Sequence, residues 1–301
     1  MHRSAAAEHS LDRDARSYRY YRNAVERHWD PAEIDLSTDR ERIGKLDEAT
    51  FTDLRRTLAL FGAGEEAVTE DLAPLSVVME GIEDQMFVTT QLYEEAKHTD
   101  FFDRYWREVI NPAEDDRGLE RSSPLDDRWF FDAYHELFGR NEAAMDRLLT
   151  EDTPANRVRA LCHYHLTIEG IMAQTGYYAV QTNYSGEIPE LPLIPGLVDG
   201  FAEIRGDEGR HVGFGMAKLK ELLGEGVPID VVHGTVNNLL PLTQEVAATA
   251  AASEDGAGLD EGDLTTYAAE KHLQRMEQLS DASAEIPDVE ELVAVERPAD
   301  F

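Results

Sequence analysis

A chain of 301 residues is longer than a typical single domain, yet one large helical domain with terminal extensions accommodates it. Its 61 acidic against 28 basic residues give a net charge of -33, which disfavours nucleic acid and anionic membrane as partners because both would be repelled. The single cysteine, Cys162, excludes an internal disulfide and a thiolate-only metal cluster, so a metal site here must use carboxylate and imidazole.

The acidity is spread along the whole length, which matches the solvated surface of a protein from a salt-rich cytoplasm. The opening segment has no apolar core of signal-peptide length, and no later stretch approaches the roughly 20 apolar residues of a membrane span. A soluble, cytoplasmic protein is therefore expected.

Helical spacing dominates, and no alternating run bounded by turn dipeptides makes a hairpin, so the expected class is all-α. A first helix falls near 14 to 28. The second, near 46 to 79, carries the apolar stripe Leu58, Phe61, Val68, Leu72 and Leu75, with Glu65 inside it. The third, near 82 to 110, sets Glu95 and His98 among Val88, Leu92 and Phe102. Asn111-Pro112 then opens an acidic loop over 111 to 124, followed by a helix near 125 to 150. In the next, near 155 to 183, the stripe is less clean. Glu169 adjoins Ile168 but shares a face with His165 and Met172. Pro189, Pro192 and Pro195 crowd a loop before a helix near 196 to 223, where Glu208 and His211 sit among Phe201, Ile204, Gly215 and Leu222. Gly224, Gly226 and Pro228 mark a break before helices near 228 to 252 and 262 to 279. One domain spans 1 to 280, and an acidic, poorly ordered tail is expected over 281 to 301.

Glu95 with His98 and Glu208 with His211 each form a Glu-x-x-His, whose two side chains share one helix face and can converge on one metal. Ten histidines among 34 glutamates should produce roughly one such pair by chance, so the pairs alone prove little. Their setting is more telling. An unpaired buried carboxylate costs several kcal/mol and does not ordinarily occupy an apolar stripe, yet several stripes here contain one. Surface glutamates beside structural histidines explain any one pair, but they explain the four helices together poorly. Bundle interiors tolerate such glutamates when cations neutralise them, and the dimetal arrangement runs Glu, Glu-x-x-His, Glu, Glu-x-x-His along the chain. This order is present.

The local words GEEAVTEDLAPL at 64 to 75, EEAKHTDFF at 94 to 102, HYHLTIEG at 163 to 170 and DEGRH at 207 to 211 resemble the ligand-binding oxidases that are themselves similar to the ribonucleotide reductase small subunit. The resemblance runs from about Trp29 to Leu222. It implies a ferritin-like four-helix bundle with additional helices, a manganese and iron cofactor, a long-chain fatty acid bound beside it, and an ether bond between a tyrosine and a valine. Glu65, Glu95 and His98 would hold the first metal and Glu169, Glu208 and His211 the second, with Glu95 bridging. Glu65 is preferred to Glu66 because it lies in the stripe with Leu58 and Val68. The cross-linked pair would be Tyr164 and Val68. Asp207 resembles the carboxylate that accepts a hydrogen bond from His98, and Trp29 the tryptophan beyond it, a pair able to conduct electrons. For Trp29 an ordinary core aromatic is the alternative, and for Asp207 a solvated charge.

The implied activity is dioxygen activation, with an unknown electron donor and an oligomeric state left open, a homodimer included. Iron outcompetes manganese for such ligands, so the mixed pair follows from the resemblance alone and a di-iron centre is the alternative. The closest rival function is that of a ribonucleotide reductase small subunit. Against it, Phe102 stands four residues after His98, where the radical tyrosine is usual, and no tyrosine follows Tyr267 for radical relay, although Ala299-Asp300-Phe301 resembles some partner-binding tails. A ferritin-type iron store is the rival from another class, and it has no use for Tyr164 beside the metals.

Overall fold

The helices whose stripes contain glutamate come together as one bundle. In the computed structural model, which describes residues 11–281 and 284–295, the α-helices in chain order are α1 (Arg16–Glu26), α2 (Asp39–Ile43), α3 (Glu48–Asp71), α4 (Ala73–Val78), α5 (Ile82–Tyr105), α6 (Asn111–Asp116), α7 (Asp132–Thr150), α8 (Pro154–Leu161), α9 (Gln174–Tyr184), α10 (Pro195–Gly224), α11 (Ile229–Ala250), α12 (Glu261–Ser280) and α13 (Val289–Leu292). Two π-helical segments, Trp106–Ile110 and Cys162–Ala173, join α5 to α6 and α8 to α9. No strand occurs among the described residues. α3 packs on α5, and α10 packs on the second π segment and α9, while α1, α11 and α12 pack around them. This is the ferritin-like bundle with additional helices that the sequence leads one to expect. No helix among the described residues is long and apolar enough to cross a membrane.

Several boundaries differ from expectation for local reasons. The run expected over 46 to 79 divides at Leu72, because Pro74 in the first turn of α4 cannot continue the α3 hydrogen-bond ladder. The expected loop at 111 to 124 begins instead as α6. The chain passes through Asn111-Pro112 without unwinding, and the wider turn of Trp106–Ile110 precedes the missing proline N–H. The expected tail is packed in part: Leu292 is 1% exposed, its carbonyl accepts from Arg275 Nη2 at 2.5 Å, and α13 lies on α10. Apolar burial of Leu292 and Val293 outweighs the acidic composition there. Ala299-Asp300-Phe301 lies outside the described residues.

The core consists of two large apolar regions. One contains Val68, Phe87, Val88, Tyr164, Ile171, Val212 and Phe214; the other contains Leu58, Phe101, Phe102, Tyr177, Phe201 and Ile204. Each of the four central helix runs crosses from one region to the other, with Glu65, Glu95 and Glu208 at the crossings and Glu169 shortly before its own, which follows Met172. α10, which brings two site residues, is anchored at its start by buried Asp39, which accepts from Gly196 N at 3.0 Å and Leu197 N at 2.8 Å. The close approach of α10 to the second π segment needs Gly215, since a β-carbon there would fall 2.2 Å from His165 Cβ.

A surface this acidic repels itself until ions screen it, so the thermal midpoint is expected to rise from low to molar salt. Melts across a salt series check this, and an unchanged midpoint would contradict the salt-adapted reading.

Candidate metal centre

At the boundary between the two apolar regions lies a layer of ionisable groups. Glu65, Glu95, His98 and Glu208 bring one ligand atom each within 4.8 Å of one another, and Glu95, Glu169, Glu208 and His211 form a second such group. All six residues are buried, and Glu95 and Glu208 belong to both groups. The sequence reading places a bridge at Glu95; the structure adds Glu208 as a second shared carboxylate. His98 Nδ1 points inward, 3.3 Å from Glu65 Oε2 and 3.6 Å from Glu208 Oε1. His211 Nδ1 likewise lies 3.1 Å from Glu95 Oε1 and 3.2 Å from Glu169 Oε1.

The outward nitrogens are held by carboxylates from the facing helix. His98 Nε2 meets Asp207 Oδ2 at 3.1 Å, and the same oxygen accepts from Trp29 Nε1 at 2.8 Å and pairs with Lys97 Nζ at 2.7 Å. His211 Nε2 meets Glu94 Oε2 at 2.8 Å, and Arg210 bonds both Glu94 and Asp207. Such partners fix the ring orientation and leave the inner nitrogen free to bind a cation. Tyr164 donates to Glu95 Oε1 at 2.5 Å. Gln91, fully buried, donates to Tyr164 at 3.3 Å and to Glu169 Oε1 at 3.1 Å. Val68, 4% exposed, shares the apolar region of Tyr164.

The electrostatics are those of a site built around positive charge. Burial pushes the Glu65 carboxyl up to about 8 despite the opposing charge of His98. Burial, then the neighbouring Glu208, drives Glu169 well above the usual range. At Glu95 burial is outweighed by His211, which draws the carboxyl well below it. Glu169 Oε2, Glu208 Oε2 and His211 Nδ1 are buried with no well-formed hydrogen bond among the described residues, although such atoms are normally satisfied. Two divalent cations would satisfy them and balance four carboxylate charges, and an oxygen and imidazole donor set suits manganese or iron. The residues therefore fit a dimetal cofactor.

Comparison with known proteins agrees with this geometry. A family model described as "Ribonucleotide reductase, small chain" matches residues 13–276. The chain belongs to the ribonucleotide reductase small chain family. Among solved structures, a valine-to-leucine variant of an R2-like ligand-binding oxidase with anaerobically reconstituted Mn/Fe cofactor is 27% identical, over 89% of this chain and 95% of its own, with a TM-score of 0.78. A glycine-to-phenylalanine variant of such an oxidase, also anaerobically reconstituted with Mn/Fe, is 26% identical over 90% and 96%, with a TM-score of 0.77. A tyrosine-to-phenylalanine variant with aerobically reconstituted Mn/Fe cofactor is 25% identical over 89% and 95%, with a TM-score of 0.76. As a reductase small-chain relative, the protein is an oxidoreductase of the dimetal type.

In this family member the structure brings all six sequence-predicted ligand candidates together, with Asp207 bonded to His98, Tyr164 bonded to Glu95, and Trp29 bonded to Asp207. Glu94, Gln91 and Tyr177 were not singled out from sequence. A signal for Glu94 exists: Glu94 to His98 and Asp207 to His211 repeat one pattern of acid, Glu, any residue, base, His. Tyr177 is fully buried, and its hydroxyl has no hydrogen-bond partner among the described residues. Its phenol is pushed well above its usual range by burial, then by Glu208 and the other three glutamates, and its ring packs on Phe61 and Phe201.

Proposed function

We propose that this chain is a dioxygen-activating oxidase in which Glu65, Glu95, His98, Glu169, Glu208 and His211 hold manganese and iron next to a long-chain fatty acid. The observation that carries the reading is the pair of overlapping, fully buried donor groups sharing Glu95 and Glu208. The Mn/Fe cofactors of the similar oxidases support the choice of metals, since ligand chemistry alone favours iron.

Bound there, the metal pair would supply the redox chemistry that activates dioxygen. Glu95 and Glu208 span the two positions, while Asp207 and Glu94 keep the imidazoles aimed inward. The aromatic layer of Phe61, Phe102 and Phe201 excludes water on one side, with Phe61 and Phe201 centroids 4.9 Å apart. A small apolar cavity, lined in part by Leu60, Phe61, Met172, Gly176, Val246 and Leu264, offers an apolar surface for a short part of an alkyl chain.

Tyr164 and Val68 are the proposed cross-linking pair. Val68 lies one turn after Glu65, and Tyr164 is hydrogen-bonded to Glu95. Joining the phenol oxygen to the valine β-carbon breaks one O–H and one tertiary C–H bond. Two protons and two electrons leave, and dioxygen receives the electrons. Mass spectrometry of protein loaded with manganese and iron in air should show the peptides around Val68 and Tyr164 joined with a loss of two hydrogens, and lipid extraction should release a fatty acid. Tyr164→Phe should abolish the joining. Separate peptides from the loaded wild type would remove the cross-link from the account.

Ribonucleotide reduction is the second reading, favoured by the description of the family model. Phe102 in the usual radical position speaks against it.

A further inference from the structure

A surface groove between α1 and α5 is lined by residues that include Ala24, Val25, His28, Thr90, Tyr93 and Glu94. Its rim is apolar and open, with Val25 47% and Tyr93 54% exposed and the His28 and Tyr93 rings 5.9 Å apart. Its floor connects to both imidazoles of the metal centre. Glu94, 2% exposed, is the group that holds His211 Nε2. Lys97 Nζ lies 6.0 Å from the Tyr93 ring and 4.5 Å from the Trp29 ring, and Trp29 is bonded through Asp207 to His98.

The flank of this groove reverses the charge of the chain. Between Arg13 and His28 there are five arginines and two carboxylates, against 28 basic and 61 acidic residues overall. Arg13 and Arg19 are exposed and make no ion pair among the described residues. Arg22 pairs with Glu26 at 2.8 Å and Arg27 with Glu290 at 2.6 Å, both at the surface, where such pairs are weak.

We propose that this face docks an acidic one-electron carrier protein, drawn in by the α1 arginines and seated on the Tyr93 and His28 rim above Trp29. The inference rests on the redox reading of the metal centre. Each encounter oxidises the carrier by one electron and reduces the centre by one. An apolar, aromatic rim flanked by charge is the anatomy of a protein interface. The net charge of the chain repels an acidic carrier in general, so a local basic ridge decides where it lands and how fast.

The test is stopped-flow reduction of oxidised, metal-loaded protein at low salt by two donors: reduced plant-type two-iron ferredoxin, which is acidic, and reduced N-methylphenazine, which is small and uncharged. Arg19→Glu combined with Arg22→Glu should slow ferredoxin by about tenfold or more while leaving the phenazine rate unchanged. The same reversal at Arg140 and Arg147 on α7 should change the ferredoxin rate by no more than about twofold, and raised salt should erase the α1 difference. Equal ferredoxin rates for wild type and the α1 variant, or an equal loss in the α7 variant, would overturn the docking site. If phenazine fails to reduce the loaded wild type, the redox reading falls, and this inference falls with it.

Discussion

Glu169→Gln is expected to make the metal-free protein more stable and the metal-loaded protein less so. Glu169 is 3% exposed, with Oε1 accepting from Gln91 and Oε2 unpartnered among the described residues. Without metal its carboxyl, buried beside Glu208, must take up a proton that the unfolded chain would not hold at neutral pH, and glutamine keeps the shape and the Gln91 contact without that cost. The relief should be about 1–3 kcal/mol. With metal the sign reverses, because an amide oxygen is a poorer ligand than a carboxylate. A hundredfold loss of affinity would remove about 2.7 kcal/mol of metal-induced stabilisation. The pH dependence follows the same logic. Glu65, at about 8, and His98 and His211, well above the usual histidine range, bind protons more tightly folded than unfolded. Stability from these groups is present at lower pH and is lost as pH rises, so between about pH 6.5 and 8 the metal-free protein should weaken. Bound metal should remove that slope, since it holds the glutamates ionised and the imidazoles neutral. Melts of both forms across this range decide the matter. A glutamine variant that is destabilised without metal would mark Glu169 as an ordinary structural carboxylate.

Asp207→Ala is expected to cost about 3–5 kcal/mol of stability and 10- to 100-fold in metal affinity. Burial raises the Asp207 carboxyl, but the hydrogen bond with His98, then the charges of His98, Arg210 and Lys97, hold it well below the usual range. Removing it leaves Lys97 buried over Trp29 with no carboxylate partner among the described residues, and Arg210 with Glu94 as its remaining buried carboxylate beside the neutral acceptors Asn23 and Gly206. It also frees the outer nitrogen of His98, so the ring loses its fixed orientation. Asp207→Asn keeps an acceptor for Trp29 and should fall between the two. Denaturant unfolding and competitive metal titration measure both effects. A loss below about 1 kcal/mol with unchanged metal affinity would reduce Asp207 to a dispensable surface-type charge.

How much of this could be read in the sequence depended on helix geometry. Glu65, Glu95 and Glu208 stand out because α3, α5 and α10 keep the 3.6-residue repeat, which shows a carboxylate inside an apolar stripe. The stripe around Glu169 is blurred because Cys162–Ala173 is π-helical and buried on nearly every face, so the ordinary repeat does not apply. The same wider turn makes residues five apart neighbours, which sets Tyr164 and Glu169 on one side, where Gln91 reaches both. Glu94 looks like any surface acid unless the run from Glu94 to His98 is matched with that from Asp207 to His211. Asp39, which caps α10 from 157 residues away, has no local signature. The break at Leu72 and the helix through Pro112 depend on how each chain segment absorbs a proline, which composition does not determine.

The central claim, that two metals sit between Glu95 and Glu208, is tested most directly by anomalous diffraction at the manganese and iron edges from crystals of protein reconstituted with both. Two peaks are expected, one among Glu65, Glu95, His98 and Glu208 and one among Glu95, Glu169, Glu208 and His211. Folded, reconstituted protein with no peak at either position, or with metal only on surface carboxylates, would contradict it.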